Sequence, residues 1–134
     1  MDTSSIELRG AQIDRIEHID GRLRLHFPRV EIIKSMTGSA ERTRWWQAGD
    51  LVIEGAEPLA PLPEPPVICA GGDIDENVYT YRDMIPIPLN ARGRVGCELK
   101  LADSDVRIRV RGEALRLEME GVPKYIEHIR PATA

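Results

Sequence analysis

The chain has 134 residues, 42% of them apolar and 30% charged, with a formal net charge of −4. This is the composition of an ordinary globular domain, long enough to bury one continuous core without staples. A mean hydropathy of −0.30 and the lack of any long apolar run exclude a membrane-spanning helix.

The opening Met1-Asp2-Thr3-Ser4-Ser5 has neither a basic nor an apolar region, so no signal peptide is expected, and a cytoplasmic location is the inference drawn. Strands are expected near 6–9, 12–19 and 22–27, the last two joined by Asp20-Gly21, the strongest short turn signal in the chain. A type I′ turn there pairs Ile19 with Arg22, His18 with Leu23, Glu17 with Arg24, Ile16 with Leu25 and Asp14 with Phe27. Ile16, Leu23, Leu25 and Phe27 then share an apolar face, and Arg15, Glu17, Arg22, Arg24 and His26 a polar one. Ile13 and Ile19 fall on the polar side, which requires a β-bulge before Ile16 or a second covering layer.

A strand at 30–34 leads into Lys34 to Asp50, where periodicity is weak and a loop with a short helical turn around Ala40 to Trp46 is expected. This stretch holds Lys34, Arg42, Arg44 and the adjacent pair Trp45-Trp46. Loops carry binding functions, and Trp beside Arg suits stacking on a base, a sugar or a partner's groove. Neighbouring residues of an extended segment face opposite ways, so one indole is expected inside and the other outside.

After a strand at 51–55, residues 58–66 contain five prolines and are expected as a stiff polyproline II connection; their PxxP spacing is nonspecific in such a run. A strand at 67–69 follows. Asp73-Ile74-Asp75-Glu76-Asn77 has the acidic spacing of a calcium loop, but Val78 and Met84 stand where that loop needs glycine and glutamate. A polar hairpin loop entered through Gly71-Gly72 is therefore expected, with strands at 77–82 and 84–89 beyond it. Tyr79 and Tyr81, two apart, share a face.

Between Arg94 and Met119 an apolar residue falls at every second position in three runs, expected as strands at 94–101, 106–111 and 114–120. A four-residue loop at Ala102 to Asp105 sets Leu101 against Val106, Leu99 against Ile108 and Cys97 against Val110. A type II′ turn at Gly112-Glu113 would set Val110 against Leu115, Ile108 against Leu117 and Val106 against Met119. The outer face carries Arg94, Glu98, Lys100, Arg107, Arg109, Arg111, Arg116 and Glu118, with Glu98 opposite Arg109 and Glu118 opposite Arg107. The unpaired arginines make a positive stripe. A helix is expected at Val122 to Ile129, with Pro123 in its first turn, and 130–134 as a tail.

These elements define a single all-β domain spanning 1–134, an antiparallel barrel or sandwich with little helix. Cys69 and Cys97, far apart in the chain, are expected as reduced, buried thiols. Ile16-Glu17-His18-Ile19 recurs as Ile126-Glu127-His128-Ile129, but adjacent Glu and His in a strand point to opposite faces and do not chelate one ion. No metal or cofactor is expected, and no GxSxG, phosphate loop, HExxH or CxxC motif is present. A site assembled from distant residues leaves no local signature, so an enzyme is the third reading. The first is a non-catalytic binding module for another protein, using Trp45, Trp46, Arg42 and Arg44 with Arg107, Arg109, Arg111 and Arg116. The second is single-stranded nucleic acid or another anionic ligand on the arginine face, against which a pI of 5.4 counts. Nothing in the sequence names the partner or the oligomeric state.

Overall fold

A computed structural model describes residues 2–38 and 40–130. Those residues form eleven strands and no helix: β1 (Thr3–Glu7), β2 (Gln12–Ile13), β3 (Arg15–Ile19), β4 (Arg22–Ser35), β5 (Arg42–Glu54), β6 (Glu57–Pro58), β7 (Val67–Glu76), β8 (Tyr79–Arg82), β9 (Met84–Ile87), β10 (Asn90–Leu101) and β11 (Arg107–Ile129). Of the expected tail at 130–134, residues 131–134 lie outside the described residues. All pairings are antiparallel, and the main path runs β2-β7-β10-β11-β5-β4-β1-β9, with β3 on β4, β6 on β11 and β8 on β7.

That path is open, but the sheet is rolled. β8 lies on β7 and β9 on β1, so the short segment 79–87, bent at Asp83, joins the two flanks of the sheet. The roll encloses one core that includes Leu8, Leu25, Phe27, Leu51, Ile74 and Leu99. No described helix is long and apolar enough to cross a membrane.

The N-terminal hairpin has the expected register, with Ile16 opposite Leu25 and Ile19 opposite Arg22. Asp20 and Gly21 both take positive φ, 52° and 76°, as a type I′ turn requires. Ile13 is buried because β2 leaves the hairpin and pairs with β7 instead, breaking the alternation at Asp14. Ile19, next to the turn, stays 63% exposed.

The β10–β11 hairpin also forms as read, with Glu98 opposite Arg109 and Cys97 opposite Val110. Its continuation does not. Gly112-Glu113 makes no turn, and β11 runs unbroken for 23 residues. The apolar period slips by one residue between Val110 and Leu115, and the structure absorbs the slip in a β-bulge at Gly93-Arg94 of β10. Leu115, Leu117 and Met119 accordingly face Ile53, Leu51 and Gly49 of β5, and Glu118 faces Asp50 rather than Arg107.

Both expected helices are strands. Residues 42–54 form β5, and 122–129 belong to β11, where Pro123 lies in a bulge between Glu120 and Lys124 instead of opening a helix. Thr43, Trp45, Trp46, Tyr125 and Ile126 are β-branched or aromatic types that suit a pleated surface, and the cross-strand pairs decide the conformation. Likewise, Asp73 to Glu76 lie inside β7 rather than in a loop, paired with β10 on one side and β8 on the other. Gly71 and Gly72 have φ of 125° and 151°, and a Cβ on Gly72 would strike the backbone of Glu98 and Leu99. They let β7 close onto its neighbour. The turn itself is at Asn77, with φ 55°.

Candidate functional site

β4, β5 and β11 are the long strands of the sheet, and each runs on past a corner. β4 bulges between Phe27 and Val30, at Pro28, and β11 bulges between Glu120 and Lys124. Beyond these corners, Val30–Ser35, Arg42–Gln47 and Lys124–Ile129 continue as one arm of the sheet, in which β5 lies between β4 and β11 and β1 covers the far side of β4. The tryptophans and Arg42 and Arg44, expected in a loop, are therefore held on a sheet.

Trp45 stands between Ile32 and Tyr125, and Trp46 between Glu31 and Lys124. They face opposite ways, as read, but both are half-buried rather than one inside and one outside. The Trp45 ring meets Tyr125 edge-on at 5.3 Å, its Nε1–H donates to Thr43 Oγ1 at 2.8 Å, and Lys34 Nζ sits 4.5 Å from its centroid. Trp46 carries two cations, Arg29 Cζ at 4.7 Å and Lys124 Nζ at 4.5 Å. Arg44 is caged by Glu7 at 2.8 Å, Glu31 at 3.1 Å and Glu127 at 3.4 Å. Its pKa is raised, chiefly by the hydrogen bond to Glu7. Arg42 is exposed at the arm's end, opposite Ser35 and Ile129.

One backbone edge of the arm is open. β10 accompanies β11 only as far as Arg116, and Leu117 N–H donates to Leu89 O at 3.0 Å. From Glu118 to Ile129, β11 pairs with β5 alone among the described residues. Along that edge Val122 is 75% exposed and Tyr125 50%.

The arginine stripe is less positive than its sequence. Arg107 and Arg109 share Glu98 at 3.6 and 3.2 Å. Arg111 lines a cleft of about 690 Å³ together with Arg94, Arg109, Asp75 and Glu98, so both signs of charge meet there. Arg107, Arg109 and Arg111 sit on the first half of β11, and the tryptophan arm on its second half. The structure keeps the two candidate patches apart.

Arg116, between them, belongs to a network not foreseen from sequence. Ion pairs run from Arg22 to Glu54 at 2.9 Å, on to Arg116 at 2.7 Å, Glu118 at 2.8 Å, Arg24 at 2.8 Å and Asp50 at 2.6 Å. Asp50 then meets His26 Nδ1 at 2.5 Å. The inner end is buried, with His26 9% and Asp50 7% exposed. The hydrogen bonds of Arg24 and then Arg116 hold Glu118 below the usual carboxylate range, and those of Arg22 and then Arg116 do the same for Glu54. Cys69 and Cys97 are buried and free, and burial pushes their thiols up to about 11 and about 12.

The sequence marked Arg22, Arg24, His26, Arg116 and Glu118 as outward. It gave no sign of which strand would face which, because Asp50 ends the segment expected as a loop and Glu54 lies in the expected strand 51–55, for which the pattern names no partner. The alternation of Asp50, Val52 and Glu54 against Leu51 and Ile53 was the signal that could have placed them.

No protein-family model matches this chain, and no curated protein or solved structure is significantly similar to it.

Proposed function

We propose that this chain is a non-catalytic binding module that takes up an extended, acidic segment of another protein along the open edge of β11. The observation that carries this reading is the edge of Glu118–Ile129 turned away from β5, which pairs with no strand among the described residues, beside the exposed Val122 and Tyr125. An added strand gains main-chain hydrogen bonds there, and its alternate side chains meet the Trp45–Tyr125 face and the Trp46–Lys124 face. Lys34, Lys124 and Arg29 lie over indole rings, positioned to receive carboxylates without first breaking a strong ion pair. Pro123 and Lys124 guard the edge against indiscriminate pairing, which favours a selective partner. In this reading the protein works in the cytoplasm, where its two buried thiols stay reduced.

The test is selection from a library of displayed random peptides. Enrichment of sequences alternating apolar and acidic residues, lost when Lys34 and Lys124 are both changed to Glu, is the expected result. Enrichment indifferent to that charge reversal, or none at all, would refute the reading.

Single-stranded nucleic acid is the weaker alternative. Both indoles already carry cations, and Arg107, Arg109 and Arg116 are paired with carboxylates. Titration with short oligonucleotides at low and moderate salt separates the readings, since phosphate tracking requires salt-sensitive shifts from Arg107 to Arg116.

A further inference from the structure

At the corner where the arm begins, His26 of β4, Asp50 of β5 and Glu120 of β11 each present one ligand atom, all within 4.8 Å of one another. His26 Nδ1 faces Asp50 Oδ1 at 2.5 Å. On the other side of the ring, Nε2 lies 3.9 Å from Asp14 Oδ1. That oxygen is buried and accepts no hydrogen bond, an arrangement that costs energy unless a donor reaches it.

We propose that His26 Nδ1, Asp50 and Glu120 bind a zinc-like divalent transition-metal ion, with Asp14 accepting a hydrogen bond from the His26 Nε2–H. One imidazole nitrogen and two carboxylates are donors such an ion accepts, and two carboxylates neutralise its charge. Ligands of a tetrahedral zinc lie about 3.3 Å apart, so the His26–Asp50 contact must open by roughly 1 Å while the exposed Glu120 side chain closes in. Asp50 can turn Oδ1 to the ion because Arg24 already holds Oδ2, at 2.6 Å.

Three further observations fit. A metal on Nδ1 fixes the tautomer with hydrogen on Nε2, and a metal-bound histidine commonly donates a hydrogen bond from that N–H to a carboxylate, here the orphaned Asp14. Asp14 is held in place by its own N–H, which donates to His26 O at 3.0 Å. The buried Gln47 donates from Nε2 to Glu120 O at 3.2 Å and Gly121 O at 3.0 Å, pinning the bulge that carries the third ligand. The ion would tie β4, β5 and β11 together at the base of the arm and leave its fourth position to water.

Calorimetric titration of zinc chloride into the full chain tests this, alongside ¹⁵N spectra of the histidines. One equivalent bound with a micromolar dissociation constant is expected, with His26 metallated on Nδ1 and protonated on Nε2. Glu120→Gln, at an exposed side chain, should weaken binding at least tenfold with unchanged circular dichroism and melting of the metal-free protein. Asp14→Asn should weaken it 10- to 100-fold, the range seen for outer carboxylate partners. Three results would each overturn the proposal: no binding up to millimolar zinc, undiminished binding by Glu120→Gln, or metal-induced shifts at His18 or His128 in place of His26.

Discussion

Asp83 joins β8 to β9 with φ 59°, and its carboxylate holds the bend. Oδ1 accepts the Gly72 N–H at 3.0 Å and Oδ2 accepts Arg9 at 2.9 Å. The Gly72 N–H first, and then Arg9, hold its pKa below the ordinary carboxylate value. A lowered folded pKa means that this stabilisation is complete above the unfolded value near 4 and is lost as pH falls through the folded one. Urea midpoints should therefore drop on acidification below about pH 4, and less steeply in Asp83→Ala. At neutral pH that variant should cost about 2 kcal/mol, since it strands the Gly72 N–H and leaves alanine at positive φ. Gly96 makes a different demand: a Cβ there would meet the Val110 carbonyl oxygen, which is backbone and cannot retreat. Gly96→Ala should lose about 1–3 kcal/mol in the same assay.

Among the elements, the ion network across β4, β5 and β11 is uneven in value. Its outer end, Arg22 with Glu54, is solvated, and Arg22→Gln should leave the urea midpoint almost unchanged. Arg24 instead pairs with the buried Asp50, so Arg24→Gln takes the cation from Asp50 Oδ2, leaves His26 on Oδ1 and should cost about 3 kcal/mol by equilibrium unfolding. The strands themselves were largely readable. Alternation and the Asp20-Gly21 pair set the first hairpin, and Cys97 to Leu101 against Arg107 to Val110 set the last. The misreadings share a cause, since a one-residue slip in an alternating pattern fits either a tight turn or a bulge. At Gly112-Glu113 the pattern alone favours a turn, and only the competition of β5 for Leu115 and Leu117 decides otherwise. The arm failed for the same reason: Pro28 and Pro123 break the pattern locally, while the pairing that keeps Trp45 and Tyr125 extended comes from strands far away in sequence. Trp45, Trp46, Arg42 and Arg44 were recognised as residue types suited to binding, whereas His26 and Asp50 come together only through register.

In the whole molecule, one sheet rolls around one core, and the second half of β11 has β5 as its single strand neighbour among the described residues. β11 links the parts. Its first half carries the arginine face and the cleft, its middle the ion network, and its second half the open edge. Amide hydrogen exchange of the protein, free and with a library-selected acidic peptide, addresses the docking surface most directly. Alternate amides of Val122–Ile129, those turned away from β5, should exchange fast in the free chain and slow markedly once the peptide is bound. Fast exchange that persists at this edge, with protection arising instead around the cleft at Arg94 and Arg111, would contradict docking on β11.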